Sequence, residues 1–385
     1  MPGSVASGWT FAIPIFSPPE KQLAIGGGNG NLETFDLSSN QKIFSYSRTD
    51  MTLSNELAYS SNGKWVAFTG LFCQLGDCPN NVKILDTTTN TVSTIDPMEP
   101  TFLAKIAFSP DNRYLAIGWR GDHNFIHIWK TDEWKRIQEI ELGDHGGEKV
   151  SFTPSGDFLI SADADEGGSL LVFDVRNWKK VFEVKTPTGL FAFFSEEKLM
   201  ALNSYDVKNS TGLIRILSID NWKDVTSIQC NSRLLTLVFN SSGEYISAID
   251  SLHNLITWDA HTGHLISTKF MPDIGGHLKN LQDHPSWFAV NEGNNILIID
   301  VLTGTEIERI DTSEPISAIS ISSDGQFIAS GGADGKVQIW YWRPDDLINE
   351  ACNRLYRNLT ISEWKQYFGG ELYHPTCPNL PIPEE

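Results

Sequence analysis

The chain has 385 residues, 40% of them hydrophobic and 11% aromatic, with 31 glycines and 18 prolines. This composition can bury a large core and excludes an intrinsically disordered chain. The formal net charge is -19, and no Lys/Arg cluster interrupts the acidic background. Nucleic acid is therefore not an expected partner, because its recognition needs a basic patch or stripe.

One sequence unit recurs along most of the chain: an aromatic or apolar residue, a polar turn and a short apolar run. Examples are "FSPDNRYLAIG" and "FTPSGDFLISAD". Successive copies begin 40 to 49 residues apart, which is the period of a four-stranded propeller blade. The eight copies begin at Phe16, Tyr59, Phe108, Phe152, Phe194, Phe239, Leu281 and Ile321.

Each unit reads as consecutive hairpins, because short alternating apolar runs are separated by turns such as "SSDG" and "GADG". The sequence thus predicts an all-β, eight-bladed propeller over residues 1–343. A seven-bladed ring, with the weak Leu281 unit outside it, remains the alternative. The fourth strand of the last blade is expected from Ser4 to Ser7, from the C-terminal tail, or not at all.

The third strand of several units ends in an apolar residue followed by Asp. The dipeptides are Trp258-Asp259, Phe35-Asp36, Leu85-Asp86, Phe173-Asp174 and Ile299-Asp300. In this the chain resembles the WD-repeat β-propellers, from Trp9 to about Trp342. The resemblance implies that Ser330, Asp334 and Trp340 belong to a hydrogen-bonded set that stabilises the last blade, although no His completes that set. No nucleophile motif such as G-x-S-x-G appears and the nine histidines are scattered over different repeats, so a non-catalytic binding role is favoured.

Five cysteines form an odd number without regular spacing, so no secreted disulfide framework is expected. Cys73 and Cys78 lie close in sequence and could form half a zinc site or a redox pair, but two ordinary thiols are favoured. The chain has no run long enough to span a membrane and no signal peptide. We therefore expect a cytoplasmic protein without metal, cofactor or membrane partner.

Residues 344–385 depart from the repeat and predict a helical, then Pro-rich, appendage packed on the propeller. Thr360 and Glu363 form a capping box at the start of the second helix, and Trp364, Tyr367 and Phe368 give that helix an apolar stripe. One face of the first helix is apolar, comprising Leu347, Ile348, Ala351, Cys352 and Leu355.

The tail "DLINEACNRLYRNLTISEWKQYFGGELYHPTCPNLP" is similar to the C-terminus of bacterial, especially cyanobacterial, WD-repeat signalling proteins. In those proteins the propeller follows an NTPase, caspase-like or TIR effector domain. The resemblance implies a sensor propeller of a signalling or defence protein, with an effector domain upstream in the full-length protein. The alternatives are a general cytoplasmic scaffold that joins proteins and a propeller enzyme with an axial site.

The partner surface is expected on one rim of the ring, where the turns between second and third strands vary most. These turns are aromatic and acidic, which suits a protein or polar ligand with basic groups. The candidate residues are Trp119, Arg120, Asp122, His123, Asp163, Asp165, Tyr205, Asp206 and His253. The opposite rim, around Trp134, Trp178 and Trp222, is the alternative face.

Overall fold

A computed structural model describes the backbone of most of the chain. The described residues are 4–6, 12–18, 22–27, 31–39, 41–47, 56–70, 80–98, 103–120, 124–143, 149–163, 168–185, 189–194, 196 and 198–383. Cys73 and Cys78 lie outside these ranges, so the two interpretations of that pair stay open.

Thirty-two strands form eight four-stranded antiparallel sheets. The N-terminal strand is β1 (Ser4–Ala6). Blades 1 to 4 comprise β2 (Ala12–Phe16), β3 (Gln22–Gly27), β4 (Leu32–Asp36), β5 (Lys42–Tyr46), β6 (Leu57–Tyr59), β7 (Trp65–Gly70), β8 (Asn80–Asp86), β9 (Thr91–Met98), β10 (Leu103–Phe108), β11 (Tyr114–Arg120), β12 (Asn124–Lys130), β13 (Lys135–Gly143), β14 (Lys149–Phe152), β15 (Phe158–Ala162), β16 (Ser169–Asp174) and β17 (Lys179–Lys185).

Blades 5 to 8 repeat the same up-and-down order. They comprise β18 (Phe191–Phe194), β19 (Leu199–Asp206), β20 (Thr211–Ser218), β21 (Lys223–Cys230), β22 (Leu234–Phe239), β23 (Tyr245–Asp250), β24 (Asn254–Asp259), β25 (Leu265–Phe270), β26 (Ile274–Asn280), β27 (Trp287–Glu292), β28 (Asn295–Asp300), β29 (Thr305–Asp311), β30 (Ile316–Ile321), β31 (Phe327–Gly332) and β32 (Lys336–Tyr341). The prediction of eight blades is confirmed, and the Leu281 unit supplies blade 7 within the ring.

The N-terminus closes the ring. Strand β1 pairs antiparallel with β32, with Ser4 opposite Gln338 and Ala6 opposite Lys336, and so becomes the fourth strand of blade 8. The next strand along the chain, β2, opens blade 1, so the two ends of the repeat region are joined through one sheet. Of the three predicted sources for this strand, the N-terminal one is correct.

The core lies between blades rather than within them. Eight clusters of buried apolar side chains are described, and each joins two neighbouring blades around the ring. At the junction of blades 8 and 1, a Cβ at Gly331 would stand 1.9 Å from the carbonyl oxygen of Ala12. Glycine at position 331 thus permits the close approach that completes the ring.

One face of the ring carries the turns between first and second strands and those between third and fourth strands. We call it the locked face, because a side chain fixes the same turn in blade after blade. In blade 3, the Ser109 hydroxyl oxygen accepts a hydrogen bond from the backbone N–H of Tyr114 at 2.9 Å. The equivalent acceptors are Ser17, Ser60, Thr153, Asn240 and Ser322.

The Asp that follows the third strand fixes the second kind of turn on the locked face. The Asp259 carboxylate accepts from the backbone N–H groups of His261 and Thr262 at 3.0 and 2.7 Å, and the bonds from Thr262 hold its pKa below the ordinary value. The corresponding carboxylates are Asp36, Asp86, Asp174 and Asp300. The Asp residues of the apolar-Asp dipeptides therefore stabilise these turns by hydrogen bonds to the backbone. Trp258 itself is buried between blades 5 and 6.

The predicted polar set of the last blade forms in part. The indole N–H of Trp340 donates to the Ser330 hydroxyl oxygen at 3.0 Å. Asp334 instead accepts from the backbone N–H of Lys336 and pairs with its ammonium group at 2.6 Å. Asp334 therefore fixes its own turn, and the Ser–Trp bond links the second and third strands.

Two helices follow the propeller, α1 (Pro344–Arg354) and α2 (Ile361–Phe368). Arg343 holds the start of α1 at the locked face, with an ion pair of 2.8 Å to Asp283 of blade 7 and a bond from Nε to the Gly325 carbonyl of blade 8. Within the residues described above, no helix is long and apolar enough to cross a membrane.

Candidate binding surfaces

Aromatic side chains on the locked face are used for packing between blades. Trp134, Trp178 and Trp222 follow third strands and have positive φ values of 47°, 57° and 58°. Their rings meet an aromatic ring of the preceding blade edge-on, at centroid distances of 5.1 to 5.2 Å; the partners are Trp65, Tyr114 and Phe158. These half-buried residues hold neighbouring blades together. The three tryptophans of the alternative rim therefore have a packing role.

The other face carries the turns between second and third strands and the connections between blades; we call it the loop face. Two of the predicted partner residues that the structure describes there have side chains that are not exposed. Trp119 is fully buried among apolar residues of blades 2 and 3, and Asp163 is buried at the end of β15. Neither side chain is therefore accessible to a partner.

The structure does not describe the side chains of four further candidates. Asp122, His123 and Asp165 lie outside the described residues, and Arg120 is described by its backbone alone, at the end of β11. The described and accessible candidates are Tyr205 and Asp206 of blade 5 and His253 of blade 6. They lie in consecutive blades on the loop face.

An apolar patch surrounds His253. Leu252 is 60% exposed in the same turn, Phe270 is 66% exposed at the end of β25, and Leu235 is 48% exposed near the start of β22. Backbone bonds hold the three segments together, from Met271 N–H to the His253 carbonyl (2.9 Å) and from Ser251 N–H to the Arg233 carbonyl (2.8 Å). We call Leu235, Leu252, His253 and Phe270 the blade 6 patch.

The patch rests on a rigid turn. The buried Asp250 carboxylate accepts hydrogen bonds from the Ser232 hydroxyl at 2.6 Å and from the backbone N–H groups of Leu252 and Asn254 at 2.9 and 2.8 Å. Leu235 points outward because a register shift between Leu234 and Thr236 leaves it as the extra residue of a β-bulge. The variable turn predicts His253, but no sequence pattern predicts the bulge, so the apolar part of the patch cannot be read from the sequence.

Blade 5 extends this surface with Tyr205, Asp206 and the exposed Val207. Asp206 is exposed, and the Asn209 side-chain amide donates to its carboxylate at 2.7 Å. This bond and backbone bonds from Asn209 and Lys208 lower the pKa of Asp206, so it is anionic at neutral pH. The loop face of blades 5 and 6 thus combines large exposed apolar groups with a fixed negative charge.

The C-terminal appendage has a small interior of its own. Trp364 is 3% exposed, stacks on Phe368 with ring centroids 4.3 Å apart and donates to the Glu371 carbonyl at 3.2 Å. Trp364 of the predicted apolar stripe is buried, whereas Tyr367 and Phe368 are 69% and 46% exposed. Trp364, the buried residue of the stripe, packs against residues of the appendage itself. Packing of residues 344–385 as a whole on the propeller stays a prediction.

A disulfide joins Cys352 of α1 to Cys377 in the extended segment. Buried Asn358 supports it, since its side-chain N–H groups donate to the carbonyls of Cys377 and Leu380 and its oxygen accepts from Cys377 N–H. The number and spacing of the cysteines do not predict this bond, which forms because folding brings together two residues 25 positions apart. Disulfides are typical of oxidising compartments, so this bond does not support the expected cytoplasmic location.

The apolar face of α1 lines an open groove of about 490 Å³ beside the disulfide. None of the side chains of α1 is buried. The groove is lined by Leu347, Ile348, Ala351, Leu355, Tyr356 and Leu359, among others. It forms a second exposed apolar surface, separate from the blade 6 patch.

The predicted capping box makes the appendage sensitive to acid. Thr360 and Glu363 form both bonds of the box, and Arg357 pairs with Glu363 at 2.7 Å. The Arg357 bond is the main cause that lowers the pKa of Glu363 to about 2 from 4.5. Because the folded-state pKa is the lower one, this stabilisation is present above pH 4.5 and is lost as the pH falls towards 2.

We therefore expect amide protection in α2 to fall between pH 4.5 and 2, after correction for intrinsic exchange, because the capping carboxylate becomes protonated. Hydrogen exchange of the α2 amides measures it. Glu363→Gln should show low protection at every pH in this window. Equal protection and equal pH dependence in the two proteins would contradict the assigned role of Glu363.

Comparison with known proteins agrees with this architecture. The model of the WD domain, G-beta repeat family matches residues 304–341, which cover β29 and the first three strands of blade 8. The match places a WD repeat at the last blade of this eight-bladed β-propeller. The solved structure of the Dos1 propeller covers 88% of this chain and 93% of its own, with a TM-score of 0.69 and 14% identity, which shows the shared fold alone.

Protein tipD of Dictyostelium discoideum is 22% identical over 246 residues, which is 61% of this chain. The matched region covers 39% of the length of that relative. Within the part of the chain that the structure describes, no three His, Cys, Asp or Glu side chains come together as metal ligands would.

Proposed function

We propose that this propeller is a non-catalytic protein-binding module whose partner docks on the loop face of blades 5 and 6. The blade 6 patch carries the proposal: three large apolar side chains, each about half exposed or more, lie in segments that backbone bonds join around a turn fixed by buried Asp250. Contiguous exposed apolar groups on a soluble protein mark interaction sites, and anchors held in place lose little entropy on binding.

The charge of the surface indicates the chemistry of the partner. Asp206 contributes a fixed carboxylate beside the patch, and the whole chain carries a net charge of -19. A partner segment with an apolar or aromatic anchor and basic flanking residues complements both features, because opposite charges favour encounter and the anchor supplies affinity. The sequence predicts a partner with basic groups, and the proposal adds an apolar anchor to that prediction.

Strand β25 offers a matched control for the test. Phe270 and Leu265 lie at its two ends, are 66% and 61% exposed, and face opposite sides of the ring. We expect Phe270→Asp combined with Leu252→Asp to weaken binding at least about tenfold, because apolar anchors at interface centres dominate affinity. Leu265→Asp should bind like the unmodified chain.

The partner for this measurement is first captured from an extract of the source organism with the full chain, then purified and titrated against each variant. Leu355→Asp, in the groove of the appendage, is a second control. Loss of binding with Leu265→Asp or Leu355→Asp, but not with the patch variant, would contradict docking on blades 5 and 6.

The C-terminal resemblance supports a narrower proposal, that the module is the sensor propeller of a bacterial signalling or defence protein with an upstream effector domain. A general protein-joining scaffold fits the propeller equally well. The reading frame upstream of Met1 in the source genome distinguishes them, since an in-frame NTPase, caspase-like or TIR domain is expected only for the sensor. A cytoplasmic location is not part of the proposal, because of the Cys352–Cys377 disulfide.

A further inference from the structure

The innermost strands of the ring have an unusual charge distribution. The first strand of each blade lies at the inner end of its sheet, and neighbouring first strands such as β10 and β14 contact each other around the axis. In the whole chain 48 acidic residues outnumber 29 basic ones. The eight first strands, as described, contain no Asp or Glu, and their ionisable residues are Tyr59, Lys105, Lys149, His277 and Lys279.

Lys105 and Lys149 occupy the same level of neighbouring blades. Each stands three residues before the aromatic residue that ends its strand, Phe108 in β10 and Phe152 in β14. Lys105 pairs with the Glu56 carboxylate of blade 2. Lys149 is half-buried, and no carboxylate among the described residues pairs with it. Burial, and secondarily the nearby charge of Lys105, lower its pKa.

Blade 7 places further cationic groups at the axis. Lys279 is accessible to solvent, and desolvation lowers its pKa. Burial also lowers the pKa of His277 in the same strand. Among the described residues of the first strands, Lys105 is paired with Glu56, whereas Lys149 and Lys279 have no carboxylate partner, in a chain whose overall charge is strongly negative.

We propose that a compact oxyanion, phosphate or a small carboxylate, binds at the axis of the ring, at Lys149 with Lys105 beside it. A half-buried ammonium that has no carboxylate partner among the described residues raises the free energy of the folded state, and an anion that bonds to it removes this penalty. Charge-assisted hydrogen bonds from lysine to phosphate or carboxylate oxygens are the matching interaction. The site lies at the axis, apart from the loop-face patch, so it does not depend on the proposed partner.

The test compares binding of inorganic phosphate to the full chain and to Lys149→Met by isothermal titration in potassium chloride of constant ionic strength. We expect the unmodified chain to bind phosphate and the variant to bind it at least about tenfold more weakly. Lys208→Met, which removes an exposed lysine on the loop face, should bind like the unmodified chain. Acetate in place of phosphate shows whether carboxylates are also accepted.

The melting temperature (Tm) provides a second measurement. If Lys149 had only a structural role, its replacement would not change the effect of phosphate on the Tm. Phosphate should raise the Tm of the unmodified chain above its value in chloride and leave the Tm of Lys149→Met unchanged, while Lys149→Arg, which keeps the charge, should retain the effect. Equal phosphate effects on the unmodified chain and Lys149→Met, or no phosphate binding by the unmodified chain, would overturn the proposal.

Discussion

Replacing Trp119 by alanine is expected to destabilise the ring by about 3–5 kcal/mol, the usual cost of deleting a large buried aromatic. Trp119 is fully buried and packs in the cluster that joins blades 2 and 3, where it also contacts the rings of Phe125 and His127. The measurement is the shift in the urea unfolding midpoint.

The control for this prediction is Trp134→Ala. Trp134 is half-buried and meets one ring of blade 2 on the locked face, so its loss should shift the midpoint less. If Trp119→Ala instead leaves the midpoint unchanged and only weakens partner binding, Trp119 is a contact residue and the description of its site as core is wrong.

Removal of residues 1–8 is expected to open the ring. Without β1, blade 8 loses its fourth strand and the outer edge of β32 is left with unpaired N–H and C=O groups. Exposed strand edges promote association between chains. The truncated protein should therefore melt at a lower temperature and form oligomers, measured by calorimetry and by light scattering after size-exclusion chromatography.

A backbone substitution separates strand pairing from simple shortening of the chain. Val5 pairs with Val337 at the centre of the β1–β32 ladder. Val5→Pro removes a backbone N–H and should resemble the truncation, whereas Val5→Ala keeps the N–H and should resemble the unmodified chain. A monomeric truncated chain with an unchanged melting temperature would show that β1 does not close the ring.

The repeat made the fold predictable from sequence. The period of 40 to 49 residues sets eight blades, and the residue after each aromatic, such as Ser109 or Asn240, fixes the turn that follows. Closure was harder to predict, because β1 comprises three residues and is defined by its pairing with β32, more than 300 positions away. The Cys352–Cys377 bond was missed for the same reason, since it depends on how the appendage folds.

The binding surface was predictable only in outline. Strand alternation predicts which turns share the loop face, and His253, Tyr205 and Asp206 are indeed accessible there. Burial at strand ends cannot be read from the turn sequence, so the sequence predicts Trp119 and Asp163 as partner residues although both side chains are buried. Leu235 was omitted because its exposure comes from a bulge, which depends on cross-strand register.

Photo-cross-linking from the two ends of β25 tests the central claim most directly. A photoreactive phenylalanine analogue at position 270 of the full chain should form a covalent adduct with a discrete protein in an extract of the source organism. The same analogue at position 265, equally exposed on the opposite face, should form none. An adduct from position 265 but not from position 270 would contradict docking on the loop face of blades 5 and 6.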